Sequence, residues 1–304
     1  MSRKVKIKNN HVYAKLLNDN LAKLAINKLK NPVWPLCRLT LMLYLTSPYN
    51  DMKQIIYELP DIVELENITY NDSKDILTPY LKELSYIEVI KKKEVPTNNL
   101  IPQIISEDGK VLDLLEAVIH FIQQKVLEKE LELINSYLCK PMDCRLCCVG
   151  PEKDALQDFF EIPLLDEEIK LFDLDIVETN VSIEKTPYDE SSLIVGDKPF
   201  YLQPPKIYRW SYGYSLILPK STKCPNLDAQ GRCVIYKKRP YVCRKPQIFS
   251  KVIDKDVKEK ESPYQLRRSI LAITDCPYVS ALKDEIIYYA DKNELDCVFM
   301  KNKI

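Results

Sequence analysis

Residues 224–246 read CPNLDAQGRCVIYKKRPYVCRKP, and the role of their three cysteines decides how the second half of the chain folds. Asp228 to Gly231 is turn chemistry, with a glycine available for positive φ, so the stretch predicts Cys224 and Cys233 side by side. Arg239-Pro240 predicts a second change of direction that carries Cys243 back toward that pair, because the residue before proline is pushed to extended backbone. Lys223, Arg232, Lys237, Lys238, Arg239, Arg244 and Lys245 surround the sulfurs. Such cations offset the charge of clustered thiolates, donate hydrogen bonds to sulfur and lower thiol pKa values. Arg232, Arg239 and Arg244 are the expected outer partners.

Upstream, Cys144-Arg-Leu-Cys147-Cys148 supplies a CxxCC knuckle. A CxxC turn lets two thiolates converge on one ion or cluster, and the spacing recurs in zinc and iron–sulfur sites. With Cys139 before it and Cys276 after the opening stretch, the expected ligands are Cys139, Cys144, Cys147, Cys148, Cys224, Cys233, Cys243 and Cys276. The spacing C-x4-C-x2-C from Cys139 also resembles that of plant-type ferredoxins. Cys37 lies in an apolar helical pattern and reads as packing, and Cys297 reads as a bystander.

The chain holds ten cysteines but two histidines, His11 and His120, both ahead of the cysteine-rich region. That distance disfavours mixed Cys/His zinc sites and Cys–His nucleophilic pairs. An all-sulfur donor set suits zinc or an iron–sulfur cluster, for which a four-iron, four-sulfur cluster is the expectation. A disulfide framework is not expected, because the chain reads as cytoplasmic and that compartment is reducing. The basic N-terminus is followed by no uninterrupted apolar run. The most apolar stretch, from Val33, is too short for a bilayer and contains Arg38, so no membrane association is expected. Five glycines, none in a GxGxxG or GxxxxGK[ST] arrangement, leave no ordinary phosphate or dinucleotide cradle.

The order CRLCC, FEIPLLDEEIKLF, CPNLDAQGRCVIYKKRPYVCR and then Cys276 resembles the YkgJ-type cysteine-cluster family of zinc- or iron-chelating domains. The resemblance covers about 139–281. It implies ligand roles for Cys144, Cys147, Cys148, Cys224, Cys233, Cys243 and Cys276. The family's knuckle begins with a cysteine where this chain has Pro141, and Cys139 lies two residues earlier. The block is also similar to the C-terminal cluster of the flagellin lysine methylase family, which implies methyl transfer to a protein lysine. No Gly-rich cofactor loop accompanies it, and the spacing is not the CxxxCxxC of radical-SAM enzymes.

The N-terminal half reads differently. Residues 11–30 place Leu17, Leu21, Leu24 and Ile26 near helical spacing, and the first thirty residues carry eight Lys/Arg against Asp19 alone. LCRLTLMLYLTSP and NDMKQIIYELP read as helices stopped before Pro48 and Pro60. SKDILTPYLKELSY reads as a third, with Ser73 as cap and Pro79 either kinking it or marking its true start behind Thr78. IEVIKKK and LIPQIIS are β-prone runs around VPTNN, a wing signal. Ser106 caps a long helix from Lys110 to about Leu138, whose Leu112, Leu115, Ile119, Ile122, Val126 and Leu133 offer a homodimer seam or an intramolecular face. Residues 33–125 thereby resemble the winged helix-turn-helix fold, with YLKELSYIEVI and IISEDGKVL as its third-helix and post-wing segments.

The fold class expected is α+β. It comprises a basic N-terminal helix over 1–30, a winged-helix module over 31–138 and a cysteine-cluster domain over 139–304. Net charge is zero, so polyanion binding requires a local patch. Lys91, Lys92 and Lys93 at the wing are the phosphate-contact candidates. No catalytic residue stands out: Asp166-Glu167-Glu168 reads as helix-capping charge, and the aromatics of 198–216 as core, with Trp210 and Tyr212 placed to shield a cluster. The function expected is a metal- or redox-responsive regulator whose helical module contacts DNA or a transcription-machinery protein. A lysine methylase-like enzyme and a passive metal-stabilised interaction domain are the alternatives.

Overall fold

The computed structural model describes residues 12–65, 67–92, 101–142, 146–189, 193–244, 247–255 and 263–301. Its contacts divide the chain into two units, one of Met1–Pro141 with Gln247–Lys301, the other of Met142–Pro246. The class is α+β.

The first unit opens with α1 (residues 12–18) and α2 (Asn20–Lys30), separated at Asp19. The Asp19 carboxylate accepts the N–H groups of Leu21 and Ala22 at 2.8 and 3.0 Å, the ordinary N-cap arrangement. The buried face is Leu16, Ala22, Ala25, Ile26 and Leu29, whereas Leu17 and Leu24 are exposed. The expected stripe was therefore rotated, because the break at Asp19 resets the helical phase.

Next come α3 (Trp34–Thr46) and α4 (Met52–Glu58), both ending ahead of a proline as expected. A hairpin follows, β1 (Ile62–Leu65) paired antiparallel with β2 (Ile68–Asn71). The third helix is broken. It comprises α5 (Ser73–Leu77), a 3-10 turn at Thr78–Tyr80 containing Pro79, and α6 (Leu81–Leu84). Ser73 is not its cap but a buried residue whose hydroxyl donates to the Pro60 carbonyl at 2.6 Å.

The expected wing does not form where it was placed. Residues 85–87 are a 3-10 turn and Glu88–Lys92 is helical (α7). The helix is held from outside: Glu88 accepts the Met52 N–H at 3.0 Å, which caps α4. The run LIPQIIS supplies a short strand, β3 (Ile104–Ile105), which pairs in parallel with a strand far along the chain. The residues between, including Lys93, lie outside the described residues. The long helix α8 (Leu114–Met142) is capped by Asp113, which accepts the Glu116 N–H at 2.9 Å, not by Ser106.

The second unit is built on a four-stranded sheet. Its strands are β4 (Phe159–Leu164), β5 (Ile176–Val177), β8 (Lys206–Trp210) and β9 (Gly213–Pro219), in the order β4-β9-β8-β5, with a small β6–β7 hairpin (Ile194–Val195, Lys198–Pro199) beside it. Side chains alternate across a strand, so each sheet face carries its own core. One holds Ile162, Leu164, Phe172, Ile207, Leu216 and Leu218. The other holds Leu193, Phe200, Tyr208, Trp210 and Ile217. A one-turn helix, α9 (Tyr241–Arg244), closes the unit.

The chain then returns to the first unit. Here lie β10 (Ile248–Asp254), β11 (Tyr264–Ile273), α10 (Pro277–Ala281), α11 (Lys283–Lys292) and β12 (Asp296–Met300). β11 is central, antiparallel to β10 and parallel to β12 and β3. The domain expected over 139–304 thus differs from the contact division, in which Gln247–Lys301 groups with the N-terminal half.

Buried amides on α8 explain this return. Gln124 accepts the Val252 N–H at 2.7 Å and donates to the Ser250 carbonyl at 3.2 Å. Asn135 donates to the Ile248 carbonyl at 2.7 Å and accepts the Gln247 N–H at 3.0 Å. The outer edge of β10 is therefore satisfied by a helix instead of another strand, one way of protecting a sheet edge.

Candidate metal centre

Backbone bonds dock the knuckle segment against the end of β9. Cys224 donates its N–H to the Cys148 carbonyl at 2.8 Å, Gly150 to Thr222 at 2.9 Å, and Ser221 to Pro151 at 2.8 Å. Val149 and Lys223 form an antiparallel bridge. Gly150 is required by this approach, since a Cβ there would overlap the carbonyl of Pro219. Cys147-Cys148, at the end of a short 3-10 turn, is thereby brought beside Cys224.

The turn expected from Asp228 to Gly231 is present. Gly231 has φ of 75°, Gly231 donates to the Asp228 carbonyl at 2.8 Å, and Leu227 bridges Cys233. Two sulfurs of this hairpin receive backbone N–H groups two residues on, Cys224 from Asn226 and Cys233 from Ile235. Amides aimed at sulfur favour the thiolate and orient it.

The second bend also forms, with Cys243 donating its N–H to the Pro240 carbonyl at 2.9 Å. Cys224 and Cys243 pack against the Ile162–Leu218 face of the sheet. Burial pushes the Cys243 thiol up to about 12, and Cys224, Cys147 and Cys233 add to the rise, so each of the three lies within electrostatic reach of Cys243. Arg239 opposes the rise at Cys243 and Cys233 but does not outweigh burial. The cations were expected to hold these sulfurs as thiolates. Burial reverses that, and the chain without metal keeps Cys224, Cys233 and Cys243 as thiols.

Of the three arginines, Arg239 lies beside the sulfurs of Cys233 and Cys243. It is nearly buried, stacks 3.9 Å from the Tyr236 ring and donates to the Tyr236 carbonyl at 3.1 Å. Arg232 is exposed and closes the hairpin turn, its Nε 3.0 Å from Asp228 Oδ2. Arg244 ends α9.

Cys144 lies outside the described residues. Cys139 sits near the end of α8 and Cys276 caps α10, both within the first unit. Cys37 is fully buried in α3, and Cys297 lies half-buried on β12. None of the nine described cysteines is in a disulfide. Trp210 packs in the opposite sheet face from Cys224 and Cys243, and Tyr212 is partly exposed with its hydroxyl on Glu161, so neither covers these sulfurs. Lys91 is turned inward, donating to the Ser47 and Tyr49 carbonyls at 2.6 and 2.8 Å and lying 4.3 Å from the Tyr44 ring. Lys92 pairs with Glu88 at 3.0 Å.

Among the described residues no three Cys, His, Asp or Glu side chains form a ready-made metal group. The chemistry of the coupled donors nevertheless fits a thiophilic metal. They are sulfurs, two with N–H partners already aimed at them, and soft donors select zinc or iron over magnesium or calcium. Metal binding to such thiols releases their protons, so the cation takes over the role that the proton plays in the unloaded site.

Sequence reasoning missed Gly150, because a lone glycine in CCVGP carries no turn signature; it read Glu168 as capping charge, which its bond from the Leu165 N–H bears out, but missed that this side chain is buried and also accepts the Tyr241 N–H. No helix among the described residues is long and apolar enough to cross a membrane. No curated protein and no solved structure matches the chain. Residues 138–265 match the CxxCxxCC family model, described as "Putative zinc- or iron-chelating domain", a span that takes in Cys139, Cys144, Cys147, Cys148, Cys224, Cys233 and Cys243 and leaves out Cys276.

Proposed function

We propose that the protein chelates zinc or an iron centre through Cys147, Cys224, Cys233 and Cys243, with Cys144 as the further sulfur of the knuckle. The observation that carries this reading is the convergence of two separate stretches of chain: the Cys224 N–H on the Cys148 carbonyl, the Leu227–Cys233 bridge, and Cys224 and Cys243 packed on one sheet face. A bound cation supplies the positive charge that lets these sulfurs ionise. The chain's own part is to hold them: Asn226 and Ile235 orient two sulfurs, Arg239 offsets charge, and the apolar sheet face limits water.

The function we attach to this is metal-responsive regulation. Because the unloaded sulfurs are held as thiols, occupancy depends on free metal and on pH together, as a sensor requires. A protein partner for the N-terminal helices is favoured over DNA, since Lys91 is consumed inside the fold and Lys92 is paired.

Anaerobic purification followed by elemental analysis and visible absorption tests the reading. Zinc would give a colourless protein with stoichiometric metal. An iron–sulfur cluster would give a brown protein with acid-labile sulfide. Cys224→Ser and Cys243→Ser should lose metal in either case. A folded protein that takes up neither metal would refute the proposal. Methyl transfer from labelled cofactor to a lysine substrate would instead support the enzyme alternative.

A further inference from the structure

Glu168 stands on the 3-10 turn Asp166–Leu171 that follows β4, and its side chain is 7% exposed. Both carboxylate oxygens are used. Oε2 accepts the Leu165 N–H at 3.0 Å, which closes the turn on itself. Oε1 accepts the Tyr241 N–H at 2.6 Å, seventy-three residues along the chain. Tyr241 is the first residue of α9, and Cys243 is its third.

A buried carboxylate is costly unless its oxygens are hydrogen-bonded, and charge-assisted bonds to N–H groups are among the strong ones. Here one of the two oxygens is satisfied by the backbone segment that presents Cys243. Pro240, which starts the bend, has no N–H, so Tyr241 is the first residue after it that can be gripped. On the other side, the Glu168 turn continues into Phe172, part of the apolar face against which Cys243 and Cys224 pack.

We propose that Glu168 is a positioning residue for the metal centre: its carboxylate clamps the Arg239-Pro240-Tyr241 bend and so sets where the Cys243 sulfur stands among Cys224, Cys233 and Cys147. This rests on the metal-binding reading above. Neighbouring Asp166 and Glu167 play no such part, being exposed at the start of the turn.

The test uses the full chain, with Co(II) as probe and its sulfur-to-cobalt absorption as a gauge of the number of bound thiolates. Glu168→Ala should weaken Co(II) binding about 10–100-fold, the usual cost of losing a partner that orients a ligand. Its absorption should fall to that of Cys243→Ser, with far-UV circular dichroism unchanged. Glu168→Gln keeps an oxygen for the Tyr241 N–H and should recover part of the loss. In the metal-free chain, iodoacetamide should alkylate Cys243 about tenfold or more faster in Glu168→Ala than in the parent, while Cys297 serves as an unchanged reference.

Parental affinity and absorption in Glu168→Ala, or an unchanged Cys243 alkylation rate, would overturn the clamp. If the parent takes up neither Co(II) nor iron, the metal reading falls on its own, and the alkylation rates alone decide whether Glu168 places Cys243. Should Glu168→Ala not fold, Glu168→Gln is judged by the same two readouts.

Discussion

Asn135, in the middle of α8, donates to the carbonyl of Ile248 at 2.7 Å and accepts that residue's N–H at 3.2 Å, so one side chain stands in for a neighbouring strand. Its oxygen also accepts the Tyr278 hydroxyl at 2.8 Å, which ties α10 to the same point. Removing the amide strands several buried polar groups at once, each worth about 1–3 kcal/mol when left unmade. Asn135→Leu should lower the unfolding free energy by about 3 kcal/mol or more in urea titrations. A loss under about 1 kcal/mol would mean that β10 finds other partners.

Glu130 is another buried polar residue of α8 with long-range partners. Its Oε2 accepts the Tyr289 hydroxyl at 2.8 Å and the Val33 N–H at 3.3 Å, joining α11 and the start of α3. Burial pushes this carboxyl up to about 7, against the opposing pull of Lys28 and of its two hydrogen-bond donors. The folded chain therefore holds a proton that the unfolded chain has released above the ordinary carboxylate range. The stability linked to this group is complete below about pH 4.5 and is lost as pH rises through 7, amounting to about 3 kcal/mol. Glu130→Gln should flatten that part of the profile and leave the variant more stable than the parent at pH 8. Denaturant midpoints of both proteins across pH 5–8 provide the comparison, and parallel profiles would refute the assignment.

Elements governed by local rules were legible, and those settled by distant contacts were not. The stops of α3 and α4 follow from nearby prolines, and the Asp228–Gly231 turn from its own residues. IEVIKKK alternates like a strand, yet Glu88 caps α4 and Lys91 fills the carbonyls at the end of α3, so tertiary bonds choose the helix. The β1–β2 hairpin went unseen because its strands are four residues each and interrupted by charge. The return of 247–301 rests on Gln124 and Asn135, amides that a helical pattern marks as surface. At the site, the bends at Asp228–Gly231 and Pro240 that carry Cys233 and Cys243 were readable, because each is made by its own residues. The supports, Gly150 and Glu168, were not, because a close approach and a buried carboxylate depend on the segment that meets them.

Gly150→Ala gives a direct check on the docking of the knuckle. The added methyl meets backbone at Pro219 and Leu218, which cannot step aside as a side chain would. Overpacking of this kind costs about 1–3 kcal/mol. Metal content should fall with it, since the knuckle is displaced from Cys224, and the loss should be partly reversed by excess metal. Parental metal content with parental stability would show that the Cys148–Cys224 backbone bond does not set the site.

Metal removal should act mainly on Met142–Pro246, where Cys147, Cys224, Cys233 and Cys243 lie. A ligand that binds the folded state alone raises stability with its concentration, by about 2.7 kcal/mol at a hundred times its dissociation constant. A strong chelator should therefore lower the melting of this unit and increase amide exchange around 146–150 and 224–243, while the Gln124 and Asn135 contacts of the first unit stay protected. The effect should shrink at lower pH, because protons compete with metal for these sulfurs, whose thiols burial pushes up, Cys243 to about 12, and so weaken the binding that supplies the stability. Uniform destabilisation of both units would place the metal elsewhere. No change on chelation, in protein shown to have carried metal, would mean the sulfurs bind without supporting the fold.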